Sequence, residues 1–253
     1  MAGNRALRTT ILVAVLAAVA GLLLAVGGPT CAQDEVETIV PLPEPQAADQ
    51  PKNVIVMISD GCGFNHMTAA RFYEHGDQAD PLYEAFPVAM AMRTCASGGS
   101  YDPARAAEDF DYVSKGATDS AAAATAMATG QKTYSGAIGV DVERQPVENL
   151  VEAAEATGRA TGVVSSVQFA HATPAGFVAH SEGRGSYEEI ARQMIHDSAA
   201  DVIMGAGHPD YDDAAQAIEG DRDYQYVGGE ESWAAVNAGT AGGDADADGD
   251  PDP

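Results

Sequence analysis

The chain has 253 residues, of which 45% are hydrophobic, so it is long and apolar enough to bury one α/β core. Lys and Arg total 13 against 38 Asp and Glu, which gives a formal net charge of −25. Nucleic-acid binding through phosphate neutralisation needs a basic surface, and this charge excludes it from the expected activities. Three cysteines without CxxC or Cys/His finger spacing exclude a disulfide-rich scaffold and a zinc finger.

Residues 1–32 are predicted to form a signal peptide. Arg5 and Arg8 precede an apolar run at residues 11–26, and residues 30–32 offer small side chains for cleavage. We therefore expect an exported protein in the periplasm, at the cell surface or outside the cell. A permanent membrane anchor is the alternative, because the apolar run is only slightly shorter than a membrane span. Membrane association is expected only through an uncleaved signal.

The rest of the chain divides by composition into three parts. These are an acidic, proline-rich linker at residues 33–51, a folded α/β domain at residues 52–236, and a Gly/Asp-rich acidic tail at residues 237–253. The alternating aspartates of the tail begin like a calcium loop, but a solvated acidic tail is the favoured interpretation. Cleavage of the signal would leave Cys62 and Cys95, whose pairing is conceivable in an oxidising compartment.

Strands and helices are predicted to alternate along the folded part. In chain order they are a strand at 52–59, a helix to about residue 75, a strand at 87–94, a loop at 96–111, helices at 118–129 and 147–157, a strand at 161–167, a helix at 186–197 and a strand at 201–204. Ser186 and Glu189 form a capping-box pattern for the last helix. The alternation predicts an α/β fold with a largely parallel central sheet and helices on both faces, whose ligands collect at the carboxyl ends of the strands.

Asp60 directly follows the first predicted strand. A carboxylate in this position either caps the next helix or binds a metal ion. The neighbouring glycines, Gly61 and Gly63, favour the metal, because they let a ligand approach the backbone closely.

Ser120 begins a predicted helix and is followed by four alanines, which leave its hydroxyl uncrowded. The free N–H groups at a helix start favour an alkoxide or a phosphate. An ordinary N-cap formed by Thr118, Asp119 or Ser120 is the alternative. Because the segment has no neighbouring histidine and no Gly-x-Ser-x-Gly pattern, a metal ion is the better candidate to activate the serine.

His171 and Thr173 lie just past a predicted strand and ahead of a proline. In a strand-like segment their side chains would point toward one site. Arg184 follows, and its planar guanidinium is well shaped to bind two phosphoryl oxygens. A structural histidine and a surface arginine are the alternatives.

Together these three segments resemble the alkaline phosphatase family, from about Lys52 to Gly207. The motifs that carry the resemblance are VIVMISDGCG at 54–63, TDSAAAATA at 118–126 and HATPAGFVAH at 171–180. The resemblance implies an alkaline phosphatase-like sandwich that hydrolyses phosphate monoesters through a phosphoserine intermediate. It further implies two zinc ions, one magnesium ion and a possible homodimer.

The resemblance also implies roles for individual residues in metal binding. Asp60 would bridge a zinc ion and the magnesium ion, and Ser120 would face that zinc. Thr173 would bind the magnesium ion, while His171 would act near it from the outer shell.

The remaining implied roles concern the phosphate. Ser120 would be the nucleophile and Arg184 would hold the substrate phosphate, with Asp119 orienting Arg184 or supporting the loop of the nucleophile. A sulfatase or phosphodiesterase is a weaker alternative, because the residues after Ser120 lack the Cys/Ser-x-Pro-x-Arg context of sulfatases.

The second magnesium carboxylate of the family, and the Asp/His sets that complete both zinc sites, would lie beyond Pro253. The sequence is therefore interpreted as the N-terminal portion of such an enzyme, with an incomplete sheet and exposed strand edges. A truncated, non-catalytic fragment that binds phosphate or Mg²⁺ is the alternative from a different functional class.

Overall fold

The computed structural model describes residues 52–76, 86–109, 111–198 and 200–242. The predicted signal peptide and linker, and most of the predicted acidic tail, lie outside these residues, so those assignments stay predictions. Within the described ranges, no helix combines the length and apolarity needed to cross a membrane.

Helices and strands alternate in the described part much as the sequence predicts. In chain order the elements are α1 (Phe64–His75), α2 (Pro103–Glu108), α3 (Ser120–Thr129), α4 (Leu150–Glu155), β1 (Gly162–Gln168), α5 (Ala172–Ala175), α6 (Tyr187–His196), β2 (Val202–Ala206) and α7 (Glu230–Ala238). Two single 3₁₀ turns lie at Tyr112–Ser114 and Gln225–Val227.

The two strands pair in parallel, which confirms the predicted α/β class. Val163 of β1 is in register with Ile203 of β2, and both pack against the buried core. On the opposite face Val164 and Met204 are exposed. Parallel strands need a crossover, and α5 and α6 lie in the connection between them. Both strands therefore run toward the same edge, where the segment after Gln168 begins.

The core is rich in alanine, and glycine at one contact lets its elements approach closely. A Cβ added to Gly176, just after α5, would lie 2.7 Å from Cβ of Ala124 on α3. Small side chains at these positions are therefore required for α3 and α5 to touch. The fully buried residues of this contact are Ala121, Ala124, Ala172 and Ala175. This packing places the first turn of α3 beside the segment that follows β1.

Two predicted strands, at residues 52–59 and 87–94, are not strands in the structure. The described sheet contains β1 and β2 alone, so neither segment has a neighbouring strand to bond with. Their apolar side chains are consequently exposed, with Ile55 at 83% and Met57 at 90%. At the end of the second segment, Lys132 donates to the carbonyl oxygens of Arg93 and of the next residue but one, Cys95.

A third correction concerns the predicted loop at residues 96–111, which contains helix α2. Asp102 caps this helix, its Oδ1 accepting from the backbone N–H groups of Ala104 at 2.9 Å and Arg105 at 3.2 Å. Pro103 occupies the first turn, where its missing N–H costs nothing. The Asp-Pro pair is thus a local helix start within a Gly- and Ser-rich segment.

The predicted capping box of α6 does not form. Ser186 makes no side-chain hydrogen bond to the helix, and Glu189 instead pairs with Arg192 at 2.6 Å. A capping box does form at α4, between Asn149 and Glu152. The two cysteines considered for pairing, Cys62 and Cys95, are both free.

Candidate active site

Ser120 occupies the first position of α3, and its hydroxyl is not used as the helix cap. That role belongs to Asp119, whose Oδ1 accepts from the backbone N–H of Ala122 at 3.0 Å. The choice between Thr118, Asp119 and Ser120 as cap is thereby decided. The hydroxyl of Ser120 remains available at the positive end of the helix.

Arg184 reaches this helix start from a distant part of the chain. Its Nη1 donates to Oδ2 of Asp119 at 3.1 Å and lies 3.3 Å from Oγ of Ser120. The side chains of Arg184 and Asp119 are 29% and 25% exposed, so the pair is partly shielded from water. We call Asp119, Ser120 and Arg184 the serine side of the site.

Backbone contacts between residues 136–139 and 180–184 hold Arg184 in this position. Ile138 and Ser181 exchange two backbone hydrogen bonds, at 2.9 and 2.8 Å. The N–H of Arg184 donates to the carbonyl of Gly136 at 2.8 Å, and the N–H of Gly136 donates to the Asp119 carboxylate. Gly136 therefore links the backbone of Arg184 to the residue that its guanidinium contacts.

The electrostatics of the serine side favour an ionised Asp119. Burial alone would raise the pKa of its carboxyl, but hydrogen bonds from Ala122, Gly136 and Arg184 outweigh burial and lower the pKa below the ordinary value. The carboxylate therefore stays negative and keeps the guanidinium oriented toward Ser120.

Asp60 and Thr173 meet on the other side of the site. Asp60 lies in a tight turn in which the N–H of Cys62 donates to the carbonyl of Ser59 at 3.2 Å. Gly61 takes a φ of +69° there, which a residue with a side chain adopts only with strain. Oγ1 of Thr173 donates to Oδ2 of Asp60 at 2.8 Å. We call Asp60 and Thr173 the cation side.

His171 lies close to both sides. Its ring stacks on Tyr187, with centroids 5.8 Å apart and planes inclined by 20°. Burial lowers the pKa of His171 and the charge of Arg184 lowers it further, while the charge of Asp60 opposes both. The His171 imidazole is thus subject to the charges of both the serine side and the cation side.

The side chains available as ligands decide which metal ions the site fits. Among the described residues, no group of three or more His, Cys, Asp and Glu converges to hold a metal. Magnesium accepts one or two carboxylates together with water and hydroxyl oxygens, so Asp60 and Thr173 fit a magnesium ion. Zinc normally needs three or four protein ligands, and the oxygens of Asp60 and Ser120 do not complete such a set.

Two supporting residues were not found by sequence reasoning. Gly136 lies in a Tyr-Ser-Gly turn, and its φ of +96° is a signal that only the structure reveals. Tyr187, three residues after Arg184, stacks on His171 and is in turn contacted by Tyr226 at a centroid distance of 5.0 Å. Both contacts join segments far apart in sequence, so no local pattern could identify them.

The family model for alkaline phosphatase matches residues 51–230 of the chain. The chain belongs to the alkaline phosphatase family. This confirms the resemblance drawn from the three motifs, and the matched segment contains every residue of the serine and cation sides.

Individual proteins of known name are similar to parts of this chain. Alkaline phosphatase H of Pseudomonas aeruginosa is 40% identical over 156 residues, which cover 62% of this chain and 31% of that enzyme. The solved alkaline phosphatase of the Antarctic bacterium TAB5 is 31% identical, with a TM-score of 0.51, and the match covers 72% of this chain and 44% of that one. A magnesium-bound variant of the TAB5 enzyme is 36% identical, with a TM-score of 0.48, over 59% of this chain and 38% of that one.

The extent of these matches limits what they transfer. Across eight curated relatives, the chain spans 27% to 44% of their length. Family membership is therefore shown for the chain, while the activity of a whole enzyme is a matter for proposal.

Proposed function

We propose that the chain takes part in the hydrolysis of phosphate monoesters, with Ser120 as the nucleophile and Arg184 as the phosphate-binding residue. The observation that carries this proposal is the position of Arg184 Nη1, 3.3 Å from Ser120 Oγ at the first turn of α3. A guanidinium next to a hydroxyl at a helix start suits a phosphoryl group, which is negative and planar in transfer.

In the proposed reaction, Ser120 Oγ bonds to phosphorus and the bond from phosphorus to the alcohol oxygen breaks. The hydroxyl proton of Ser120 is lost and the departing alcohol oxygen gains one, so the alcohol leaves uncharged. Arg184 holds two of the remaining phosphoryl oxygens and neutralises part of their charge. Asp119 keeps the guanidinium in place and, because it accepts the capping hydrogen bond, leaves Ser120 Oγ free to react. Water then cleaves the phosphoserine, releasing inorganic phosphate and restoring the hydroxyl.

Metal ions are part of this proposal, as expected for a metal-dependent family. A magnesium ion would be held by Asp60 and Thr173, near His171. Of the two zinc ions that the resemblance implies, the described residues offer Asp60 and Ser120 as ligands and no complete set. Bound divalent cations would supply the positive charge that favours the ionised serine and the departing oxygen.

A non-catalytic phosphate- or Mg²⁺-binding protein is the second candidate function. One specific observation favours it, namely the lack of a converging group of three metal-binding side chains among the described residues. Such a protein would bind phosphate through the serine side without turning over a monoester.

Covalent labelling separates these two functions. The full chain is incubated with p-nitrophenyl phosphate, Zn²⁺ and Mg²⁺, quenched in acid and measured by intact-protein mass spectrometry. We expect one added phosphoryl group in the wild-type chain and none in Ser120→Ala. Ser114→Ala, which alters an exposed serine bonded only to the carbonyl of Asp111, should label like the wild type.

Three outcomes are informative. Full labelling of Ser120→Ala would remove Ser120 from its proposed role. Absence of label in a wild-type chain that binds inorganic phosphate would favour the non-catalytic function. A wild-type chain that neither labels nor binds phosphate would contradict both candidate functions.

The proposal includes export and a possible homodimer. Export is supported by the apolar run and preceding arginines within residues 1–32. Sequencing the N-terminus of the protein recovered from its native host tests it, since cleavage after residue 32 would leave Gln33 first.

A further inference from the structure

His180 lies between α5 and Arg184, and both of its ring nitrogens have a partner. Nδ1 is 2.6 Å from the carbonyl oxygen of Gly139, and Nε2 is 2.8 Å from Oε1 of Glu152. Its backbone N–H also donates to Oε1 of Gln193 on α6, at 3.0 Å. With its side chain 23% exposed, His180 is fixed at three points that come from three different segments.

We propose that His180, held by Glu152, is a positioning residue that sets where the guanidinium of Arg184 lies. The inference rests on the proposed function, because it concerns the affinity of the same site for phosphate. Neither His180 nor Glu152 contacts the serine side directly, so any effect must pass through the backbone between them.

The partners of His180 are both hydrogen-bond acceptors. The ring of His180 is therefore held between a backbone carbonyl and a carboxylate, one at each nitrogen. The charged side chains around the same cleft are Glu152, Glu189, Arg192 and Asp197. Arg192 pairs with Glu189 and Asp197, which leaves Glu152 as the carboxylate paired with His180.

Glu152 is itself held rigidly, so it can serve as an anchor. Its Oε2 accepts from the backbone N–H of Asn149 at 2.8 Å, in the capping box that starts α4. Val151, the adjacent residue, is buried in the core. The two oxygens of Glu152 therefore have separate tasks, one to start the helix and one to bind His180.

Gly139 brings the other partner of His180 into place. It has a φ of +58°, and a Cβ added there would lie 2.2 Å from the carbonyl oxygen of Ala179. The two backbones thus touch at this position, and the Nδ1 contact of His180 closes one end of their pairing. The pairing continues through Ile138 with Ser181 and ends where the N–H of Arg184 meets Gly136.

His180 and Arg184 therefore lie at opposite ends of one short paired stretch. Removing the His180 side chain takes away its two ring contacts with Gly139 and Glu152, so the first end is held only by backbone bonds such as that from the N–H of His180 to Gln193. A shift of about 1 Å in a group that binds a reacting phosphate is enough to cost up to about a hundredfold. We expect a smaller, roughly tenfold loss, since the guanidinium keeps its bond to Asp119.

The test compares variants of the full chain in the presence of Zn²⁺ and Mg²⁺. Affinity for inorganic phosphate is measured by calorimetry, and the Nε–H signal of Arg184 is followed by NMR without any ligand. His180→Ala should lower the affinity on the order of tenfold and shift the Arg184 signal. Glu152→Gln keeps one side-chain oxygen, which can serve either the capping bond to Asn149 or the contact with His180. It should lower the phosphate affinity and shift the Arg184 signal, each less than His180→Ala does.

His196→Ala is the matched control. His196 is also a half-buried histidine with a ring contact, 2.8 Å from Oγ of Ser232, but it lies at the end of α6, outside the paired stretch. This variant should leave both the phosphate affinity and the Arg184 signal as in the wild type.

An unchanged affinity and an unchanged Arg184 signal in His180→Ala would overturn the inference, as would an equal effect in His196→Ala. If the wild-type chain binds no phosphate, the proposed function fails, and the NMR arm still decides whether His180 positions Arg184. If His180→Ala does not fold, Glu152→Gln and His180→Gln carry the test, because each retains part of the contact set.

Discussion

The serine side and the cation side differ in how the chain holds them. Asp119, Ser120 and Arg184 are joined to one another, and the backbone around them is paired over residues 136–139 and 180–184. Asp60 instead ends an extended segment whose side chains are exposed, and one hydrogen bond to Thr173 connects it to the rest of the site. The described residues thus hold the proposed phosphate-binding side more firmly than the proposed metal-binding side.

The difference follows from the residue types in the two regions. Around α3, alanines and Gly176 allow helices and loops to approach closely, so backbone groups of distant segments bond directly. The segment at residues 52–59 is strongly apolar, but it can gain from burial only if other strands lie beside it. The alanines and Gly176 around α3 therefore allow the described residues to hold the serine side in place. The large apolar residues at 52–59 stay exposed, so the cation side is held less firmly.

The largest effect is expected at Gly139, where the paired backbones that hold Arg184 touch. Gly139→Ala should lower the free energy of unfolding by about 3 kcal/mol, because a Cβ adds a clash with Ala179 to the strain of a positive φ. Gly158→Ala is the matched control, since Gly158 has a φ of +69° and no atom within 4 Å of the added Cβ. It should cost about 1 kcal/mol, the strain alone. If urea unfolding shows equal losses for Gly139→Ala and Gly158→Ala, the close approach of Gly139 to Ala179 does not affect stability.

A smaller effect is expected from the charge of Asp119. Asp119→Asn keeps a good helix cap but removes the acceptor that Arg184 uses, which should cost about 1.5 kcal/mol near pH 7. The folded-state pKa of Asp119 lies below its ordinary value of 3.8, so this stabilisation is fully present above that value. It is lost as the pH falls through the folded-state pKa.

Urea unfolding of both proteins along a pH series checks this sign. The difference between wild type and Asp119→Asn should be constant around neutrality and should shrink below about pH 4. If the difference in unfolding free energy persists unchanged into strong acid, or widens there, the ionised carboxylate of Asp119 is not the source of the stabilisation.

Helix α3, which carries Ser120, could be predicted because its signals are local. Alanines after Ser120, ended by Gly130 in the left-handed conformation, specify α3. The periodic patterns of β1, α6 and β2 likewise predict elements that the structure contains, with boundaries that differ by only a few residues. In α3 the residues that start, form and end the helix all lie within one short segment of the sequence.

The parts that could not be predicted depend on partners distant in sequence. An apolar run such as residues 52–59 is typical of a buried strand, yet only a neighbouring strand makes it one. His180 carried no local signal of its role, because Glu152 lies 28 residues away and Gly139 lies 41 residues away. Even a local pattern fails when an oppositely charged competitor is equally near in sequence, as Arg192 is for Glu189.

On the cation side, magnesium should stabilise the fold only through Asp60 and Thr173. Mg²⁺ at about ten times its dissociation constant should add about 1.4 kcal/mol, or roughly 3–6 °C in melting temperature. Asp60→Ala should abolish this shift while changing the metal-free stability by less than about 1 kcal/mol, since Asp60 is exposed.

Because the chain carries a net charge of −25, weak Mg²⁺ binding to other carboxylates must be separated from this site. Asp221→Ala removes another exposed carboxylate and should leave the magnesium shift intact. If both variants reduce the shift equally, the magnesium effect is diffuse and Asp60 has no special part in it.

The smallest effect is expected on the exposed segment that leads to Asp60. Met57→Gln should change the free energy of unfolding by less than about 0.5 kcal/mol, since the side chain of Met57 already lies in water. Met194→Gln, which alters a methionine that is 1% exposed in the core, should cost about 3 kcal/mol. A loss above about 1 kcal/mol for Met57→Gln would mean that this segment is covered in solution. In that case the cation side would be held by apolar burial, and the contrast with the serine side would largely disappear.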